Sequence, residues 1–224
     1  KLLTDQDTDQ YFLKEELNRI NKLLIKKYNL YGEFVELDLI NSGAFGTVYR
    51  VFDKHNRRFL AIKRIEVGFQ ATANKPPVTK EQVDFSARGE IISCLKIIAM
   101  DNPNLLQIYQ IIYEPGCYCE ILMEYGYGTL YDFLRYMHKT KTKYEGFETE
   151  LDEDLANQIE IIHDRKIRHR DIKPSNIIIR KGLKFTLCDY GLAETFNDPN
   201  PTELPIVGTL NYLPKEIQEC YKNG

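Results

Sequence analysis

Hydrophobic and polar positions follow a helical repeat in the first part of the chain. Between residues 9 and 30, apolar side chains recur every three or four positions, which places them on one face of a helix. This stripe consists of Leu13, Leu17, Ile20, Leu24 and Tyr28. It predicts either a flanking helix packed against the following domain or a helix that docks a partner protein. We favour the first interpretation, because a stripe alone does not name its partner.

A strand-like alternation replaces the helical repeat after residue 33. It is interrupted by a loop-like stretch at residues 68–78 with one glycine and two prolines, and then by a helix from about residue 80 to 98. A capping-box pattern at residues 79–82 marks the start of that helix. The five predicted strands span residues 34–40, 47–52, 58–63, 105–113 and 118–123. Together they predict a five-stranded antiparallel sheet.

The second half of the chain has a different pattern. A short helix is expected over residues 129–138, followed by a charged, exposed stretch to residue 153 and a short helix within residues 151–163. Two hairpin strands are expected at residues 177–179 and 185–188. Strands first and helices afterwards indicate an α+β protein in two lobes.

Composition narrows the class of protein. The 224 residues include 30 Lys and Arg and 33 Asp and Glu, so the net charge is −3. That balance argues against a basic nucleic-acid-binding surface, and no apolar run approaches the ~20 residues of a membrane span. The odd number of cysteines indicates reduced thiols in an intracellular, cytoplasmic protein. They are Cys94, Cys117, Cys119, Cys188 and Cys220. The chain starts without Met, so we expect a fragment or a processed product.

A glycine-containing turn and a lysine point to phosphate binding. Residues 41–46 lie between the first two strands, and glycine there lets backbone N–H groups approach a phosphate. Lys63 closes the third strand. A lysine buried against phosphates needs an anion to hold it, and Glu90 in the following helix is the candidate.

The strongest chemical signal is the run of residues 169–176, His-Arg-Asp-Ile-Lys-Pro-Ser-Asn. The hairpin that follows should bring Asp171, Asn176 and Asp189 to one end of its sheet. Asp171 can accept a hydroxyl proton, and Lys173 can neutralise charge on a transferred phosphoryl group. Asn176 and Asp189 offer hard oxygen ligands for Mg²⁺.

These segments give the chain its resemblance to a eukaryotic protein kinase domain, from about Phe34 to Glu216. The motifs are NSGAFGTV (41–48), LAIK (60–63), MEYG (123–126), HRDIKPSN (169–176), DYG (189–191) and GTLNYLPKE (208–216). Lys173 together with Gly208-Thr209 resembles the Ser/Thr branch and not the tyrosine branch.

The resemblance implies a fold, cofactors and site residues. The fold would be two-lobed, with a five-stranded antiparallel N-lobe sheet plus one helix and a partial, mainly helical C-lobe. The cofactors would be ATP and Mg²⁺, and the partner a protein substrate with a Ser or Thr hydroxyl. The catalytic residues would be Lys63, Glu90, Asp171 and Lys173. The metal ligands would be Asn176 and Asp189. The nucleotide-binding residues would be Asn41, Gly43, Gly46, Val48, Ala61, Lys63, Met123, Glu124, Gly126 and Ile178.

The implied domain organisation is an N-terminal helical extension (1–33) and a kinase domain (34–224). Within the latter we expect an N-lobe (34–123), a hinge (124–128) and a partial C-lobe (129–224). Two departures stand out: Asn41 replaces the first glycine of the loop, and Pro214-Lys215 replaces the usual pair before Glu216.

Two function classes follow. The first is an active Ser/Thr protein kinase, since every charged catalytic residue is present. The second is a kinase-like nucleotide-binding scaffold, which the departures favour. For the active form, the resemblance implies that Arg170 pairs with an activation-segment phosphate. Thr202 is the preferred acceptor, Glu203 is a fixed negative charge that could replace it, and a mobile, unpaired loop is the third possibility.

Overall fold

The protein is described here by a computed structural model. It describes residues 10–30, 33–42, 46–66, 79–195, 207–215 and 217–219. The chain divides into two compact units, the first comprising residues 1–98 and 107–125 and the second residues 99–106 and 126–224. The predicted domain boundaries at residues 33, 123 and 128 stay predictions. None of the described helices is long and apolar enough to cross a membrane.

The first unit is built on the predicted five-stranded antiparallel sheet. Its elements are α1 (Gln10–Tyr28), β1 (Phe34–Ser42), β2 (Thr47–Asp53), β3 (Arg58–Glu66), most of α2 (Lys80–Met100), β4 (Ile108–Glu114) and β5 (Tyr118–Glu124). The strand order is β1-β2-β3-β5-β4, so β1 and β4 form the edges. Val48 lies opposite Lys63, and Ala61 lies opposite Met123. Alternation along the strands therefore puts these side chains on one face of the sheet.

The opposite face of this sheet forms a core that α1 shares. Val51, Leu60 and Leu122 are buried there together with Leu30 and Tyr109. Ile25 and Tyr28 of α1 pack against the same cluster, with Phe34 and Ile62. The prediction that the first helix packs against the following domain is thus confirmed. Docking of a partner through this helix stays a prediction.

Helix α1 lies along the edge strand β4. Lys14 Nζ is 2.8 Å from a carboxylate oxygen of Glu114, and Tyr28 Oη donates to Gln107 Oε1 at 3.1 Å. The fourteen residue-to-residue steps from Lys14 to Tyr28 rise about 21 Å, and the seven steps of extended chain from Gln107 to Glu114 span about 23 Å. The helix and the edge of the sheet therefore match in length.

Asn21 of α1 joins the helix to the edge of β4 at its middle. Its Nδ2 donates to the Ile111 carbonyl at 2.7 Å, and the Ile111 N–H donates to its Oδ1 at 3.0 Å. Both outward backbone groups of Ile111 are satisfied by one side chain. The carboxamide takes the place that a neighbouring strand would have.

The described part of the second unit is built from short strands and helices. Its elements are α3 (Leu130–Thr140), α4 (Phe147–Asp164), β6 (Ile167–Arg168), β7 (Ile177–Arg180), β8 (Lys184–Leu187) and β9 (Glu194–Thr195). The predicted hairpin is present as the β7–β8 pair, and β6 pairs with β9. Gln158 of α4 repeats the arrangement of Asn21: its Nε2 donates to the Phe185 carbonyl at 2.7 Å and its Oε1 accepts from the Leu187 N–H at 2.9 Å.

The starts of two elements differ from the sequence prediction by three residues or more. Helix α4 begins at Phe147 and not at residue 151, because Gly146 adopts φ +83° and Glu148 and Glu150 occupy the first turn. Negative charge in the first turn favours a helix N-terminus. Strand β4 begins at Ile108 and not at residue 105, because the chain turns at Asn102, which accepts from the Asn104 and Leu105 N–H groups. The fold class itself is as predicted: a protein-kinase-like α+β architecture.

We predict that Asn21→Ala lowers the free energy of unfolding by about 1–3 kcal/mol, because it removes two hydrogen bonds from a partly buried strand edge. The measurement is equilibrium unfolding in urea. Asn18→Ala is the matched control, since Asn18 is exposed on the same helix and gains the same helix propensity. Equal effects of the two substitutions would show that the edge contact contributes nothing.

Candidate functional site

The carboxylate of Asp171 lies at the centre of a hydrogen-bonded cluster in the second unit. Its Oδ2 accepts from Lys173 Nζ at 2.7 Å and from Asn176 Nδ2 at 2.9 Å. Its Oδ1 accepts from Thr209 Oγ1 at 2.8 Å. Asp171 is only 8% exposed, so these donors fix the rotation of a carboxylate that is largely removed from water.

The hairpin positions this cluster. A single 3₁₀ turn, Pro174–Asn176, leads into β7, and the Cys188 N–H at the end of β8 donates to the Asn176 carbonyl at 2.9 Å. The next residue, Asp189, has φ +62°. The hairpin therefore delivers Asn176 and Asp189 at the same end of the β7–β8 pair, as predicted.

His169 connects the two sides of this loop. Its Nε2 lies 3.0 Å from the Cys188 carbonyl, and the Asp171 N–H donates to its Nδ1 at 3.3 Å. These contacts require a neutral ring with the proton on Nε2. Burial lowers the pKa of His169, which favours the same neutral form. The ring also packs against buried Tyr190, with centroids 4.9 Å apart.

Gly208 and Thr209 close the cluster from a distant part of the sequence. Gly208 has φ +117°, and a Cβ there would lie 2.6 Å from the Arg170 carbonyl oxygen. Only glycine allows the backbones to approach this closely. Thr209 Oγ1 is consequently held 2.8 Å from Lys173 Nζ as well as from Asp171.

In the first unit, Lys63 and Glu90 form the expected ion pair. Lys63 Nζ is 2.7 Å from both carboxylate oxygens of Glu90, and the two side chains are 16% and 4% exposed. A buried pair of this kind holds each charge in place. Burial, with the nearby Glu90 charge, raises the pKa of the adjacent Cys119 thiol.

The other residues of the predicted nucleotide site are distributed as follows. Val48, Ala61, Lys63 and Met123 share a sheet face of the first unit, and Glu124 ends β5. Asn41 is exposed near the end of β1, where its Oδ1 accepts from the Ser42 N–H at 2.8 Å. Gly43 lies outside the described residues. A Cβ on Gly46 would lie 2.1 Å from the Arg64 carbonyl oxygen, so the packing of β3 alone explains that glycine.

Gly126 and Ile178 belong to the second unit and contact each other. A Cβ on Gly126 would lie 2.7 Å from the Cβ of Ile178. The Tyr127 N–H donates to the Ile179 carbonyl, and the Ile179 N–H donates to the Gly128 carbonyl, both at 2.9 Å. Within the second unit, the segment that begins at Gly126 is therefore held against β7.

The donor set fits Mg²⁺. Both hydrogen bonds of the Asn176 side chain use its Nδ2 and leave its Oδ1 as an oxygen donor for a metal, and Asp189 supplies a carboxylate. Hard oxygens are the ligands of Mg²⁺, which takes one or two protein groups and completes its shell with phosphate and water. Among the described residues, no group of three or more His, Cys, Asp or Glu side chains is placed to hold a metal without such outside ligands.

Comparison with known sequences decides the family. Residues 34–223 match the family described as Protein kinase domain. The chain belongs to the protein kinase family. It is 30% identical over 181 residues to Aurora kinase B of Mus musculus, covering 80% of this chain and 48% of that protein. It is 30% identical over 179 residues to mitogen-activated protein kinase kinase 2 of Arabidopsis thaliana, covering 80% and 45%.

A third relative is serine/threonine-protein kinase PLK4 of Drosophila melanogaster, 23% identical over 199 residues, which cover 87% of this chain and 24% of that protein. The chain thus spans about half or less of the length of these relatives. The similarity to all three relatives lies in the kinase domain. It supports the Ser/Thr branch that Lys173 and Gly208-Thr209 predict.

Two contacts of this kinase domain were not predicted from its sequence. Thr209 was expected only as part of the Gly208-Thr209 pair that resembles the Ser/Thr branch, and its hydroxyl proves to bridge Asp171 and Lys173. Arg170 pairs with Glu194, at 3.1 Å. The Gly-Thr dipeptide could have indicated the contacts of Thr209, whereas no sequence pattern indicated the Arg170–Glu194 pair. Thr202 and Glu203 lie outside the described residues.

We predict that the kinase domain loses stability as the pH falls below about 6.5, up to about 1.4 kcal/mol per pH unit from His169. The unfolded imidazole takes up a proton that the buried ring, whose pKa is lowered, does not. The stability that His169 contributes is therefore fully present above pH 6.5. It is lost as the pH falls toward the lowered pKa of the folded state. The measurement is urea unfolding between pH 5.5 and 7.5.

His169→Gln should remove this component of the pH dependence, whereas His138→Gln, at an exposed position of α3, should leave it unchanged. In the native protein, the imidazole ¹H resonances of His169 should show no titration above pH 6.5. A titration at the ordinary histidine pKa of about 6.5 would contradict the neutral, buried assignment.

Proposed function

We propose that the protein is an ATP-dependent Ser/Thr protein kinase that transfers the γ-phosphoryl group of ATP to a protein hydroxyl. The observation that carries this proposal is the arrangement around Asp171. A buried carboxylate accepts from Lys173, Asn176 and Thr209, which are the groups that a phosphoryl-transfer site needs beside its base. An ordinary polar turn would not bury such a set.

Each side chain of this cluster has a distinct role in the proposal. Asp171 orients the substrate hydroxyl and accepts its proton as the new O–P bond forms and the bond between the γ-phosphorus of ATP and its bridging oxygen breaks, so that ADP leaves. Lys173 already carries its positive charge beside Asp171 and would neutralise charge on the transferred group. Thr209 holds both, so that little reorganisation is needed during the reaction.

In the first unit, the pair of Lys63 and Glu90 supports nucleotide binding. Glu90 fixes the lysine ammonium at 2.7 Å from both carboxylate oxygens. The ammonium would then bind phosphate oxygens of ATP, and Val48, Ala61 and Met123 would contact the adenine ring. Asn176 and Asp189 would hold Mg²⁺, which, when bound, neutralises phosphate charge.

The second candidate is a kinase-like scaffold that binds nucleotide or a partner without efficient turnover. Asn41 favours it, since a side chain replaces the first glycine of the phosphate-binding turn and the residue is held in β1. Pro214-Lys215 favours it as well. Against it stands the complete set of charged residues. We further propose an intracellular location, on the odd cysteine count.

We predict that Lys63→Met, Asp171→Asn and Asp189→Asn each lower phosphoryl transfer at least ~100-fold, because positioned charge supplies most of the catalysis. The measurement is transfer of labelled phosphate from Mg·ATP to a mixed Ser/Thr peptide library. Lys54→Met and Asp152→Asn, at exposed positions, are the matched controls and should retain full activity.

Nucleotide binding to the same variants separates the two candidates. Asp171→Asn should still bind Mg·ATP, whereas Lys63→Met should bind it weakly. Nucleotide binding by the wild-type protein without transfer to any peptide would favour the scaffold. Near-native transfer by all three variants would eliminate the kinase proposal.

A further inference from the structure

The residue directly before the catalytic carboxylate, Arg170, has a strained backbone. Its φ is +65°, in the left-handed region that a non-glycine residue keeps only where its surroundings hold it. Three contacts hold Arg170, and all come from the chain after Asp189. One is the close approach of Gly208 to its carbonyl oxygen. The other two involve its side chain.

The guanidinium of Arg170 is bound at two points. Its Nε donates to the Leu192 carbonyl at 2.8 Å, and its NH1 lies 3.1 Å from Glu194 Oε2. The two side chains are 21% and 25% exposed. The contact is an ion pair without hydrogen-bond geometry, and both atoms are buried with no other hydrogen-bond partner among the described residues. Within the described residues, the pair thus brings opposite charges together at two atoms that are removed from water.

The backbone of Glu194 is itself part of a strand pair. It lies in β9, which pairs with β6 in a register that places Glu194 opposite Arg168 and Thr195 opposite Ile167. Strand β6 leads directly into the loop that carries His169 and Asp171. The backbone of Glu194 is consequently held beside the catalytic loop by its pairing with β6.

We infer that Glu194 is the built-in counter-ion of Arg170 and a positioning residue for Asp171. The pair supplies in the chain itself the negative charge that a phosphate would otherwise have to bring to Arg170. Phosphorylation of the segment after Thr195 is then unnecessary for an ordered catalytic loop. This inference rests on the proposed kinase function for its kinetic consequence, but not for its structural one.

The structural test is hydrogen exchange of the catalytic loop. In Glu194→Gln, the amides of residues 168–172 should exchange at least ~10-fold faster than in the wild type, because the buried guanidinium loses its counter-ion. Glu194→Asp, which keeps the charge, should stay within ~threefold of the wild type. Glu153→Gln, at an exposed position of α4, is the matched control and should change nothing. Exchange in Glu194→Gln equal to that control would overturn the inference.

The kinetic test uses the same variants. In Glu194→Gln, kcat should fall about 10-fold while KM for ATP stays within twofold, since only the position of Asp171 is affected. Phosphatase treatment of the wild-type protein should leave kcat within twofold. Loss of activity after phosphatase treatment would show that a phosphate, and not Glu194, serves Arg170, and would overturn the inference.

The two proposals fail separately. A wild-type protein that transfers no phosphate, with faster loop exchange in Glu194→Gln, would refute the kinase function and support the counter-ion. An active wild-type protein whose loop exchange and kcat are both unchanged in Glu194→Gln would support the kinase function and refute the counter-ion role of Glu194. Should Glu194→Gln not fold, Arg170→Gln/Glu194→Gln, which leaves no unpaired charge, is compared with Arg170→Gln. Exchange in the double variant no faster than in Arg170→Gln is expected, and a further loss in the double variant would overturn the inference.

Discussion

A buried carboxylate cannot keep its charge unless donors surround it, and in this protein Asp171 imposes that requirement on its whole neighbourhood. Its three donors come from two parts of the sequence, residues 173–176 and Thr209. Bringing them together requires the turn into β7 and the close approach of Gly208 to Arg170. Much of the local structure of the second unit thus serves to keep the Asp171 carboxylate away from water.

The same constraint recurs at the other buried charges. Lys63 meets Glu90, Arg170 meets Glu194, and buried Asp53 accepts from Arg58 Nε at 3.3 Å. In each case the partner comes from a different element or from across a turn. Buried pairs of this kind contribute less to net stability than their attraction suggests, because desolvation opposes it. What they provide is a defined geometry, since each charge is held at a fixed distance from its partner.

The sequence predicted the sheet and the hairpin because each depends on a local pattern. It predicted the Lys63–Glu90 contact because a lysine buried against phosphates needs an anion. Alternating apolar residues define the strands, and the charged residues near Asp171 follow one another within a few positions. The Arg170–Glu194 pair could not be predicted, since it depends on the register of two strands of only two residues each. The predicted start of α4 was too late because the sequence there is charged and resembles a loop. In the structure, one glycine and two acidic residues favour the earlier start. Asn21 gave no signal either: a polar residue on a helix is ordinarily a solvated one.

Asn21 and Gln158 have a consequence for how this chain behaves among other copies of itself. Each caps the open edge of a strand with a carboxamide borne on a helix, at Ile111 and at Phe185 and Leu187. An uncapped edge is a template on which a strand of another molecule can form. The first helix therefore blocks strand addition at the β4 edge and also packs against the sheet. Its displacement would leave the β4 edge open to strand addition by another copy of the chain.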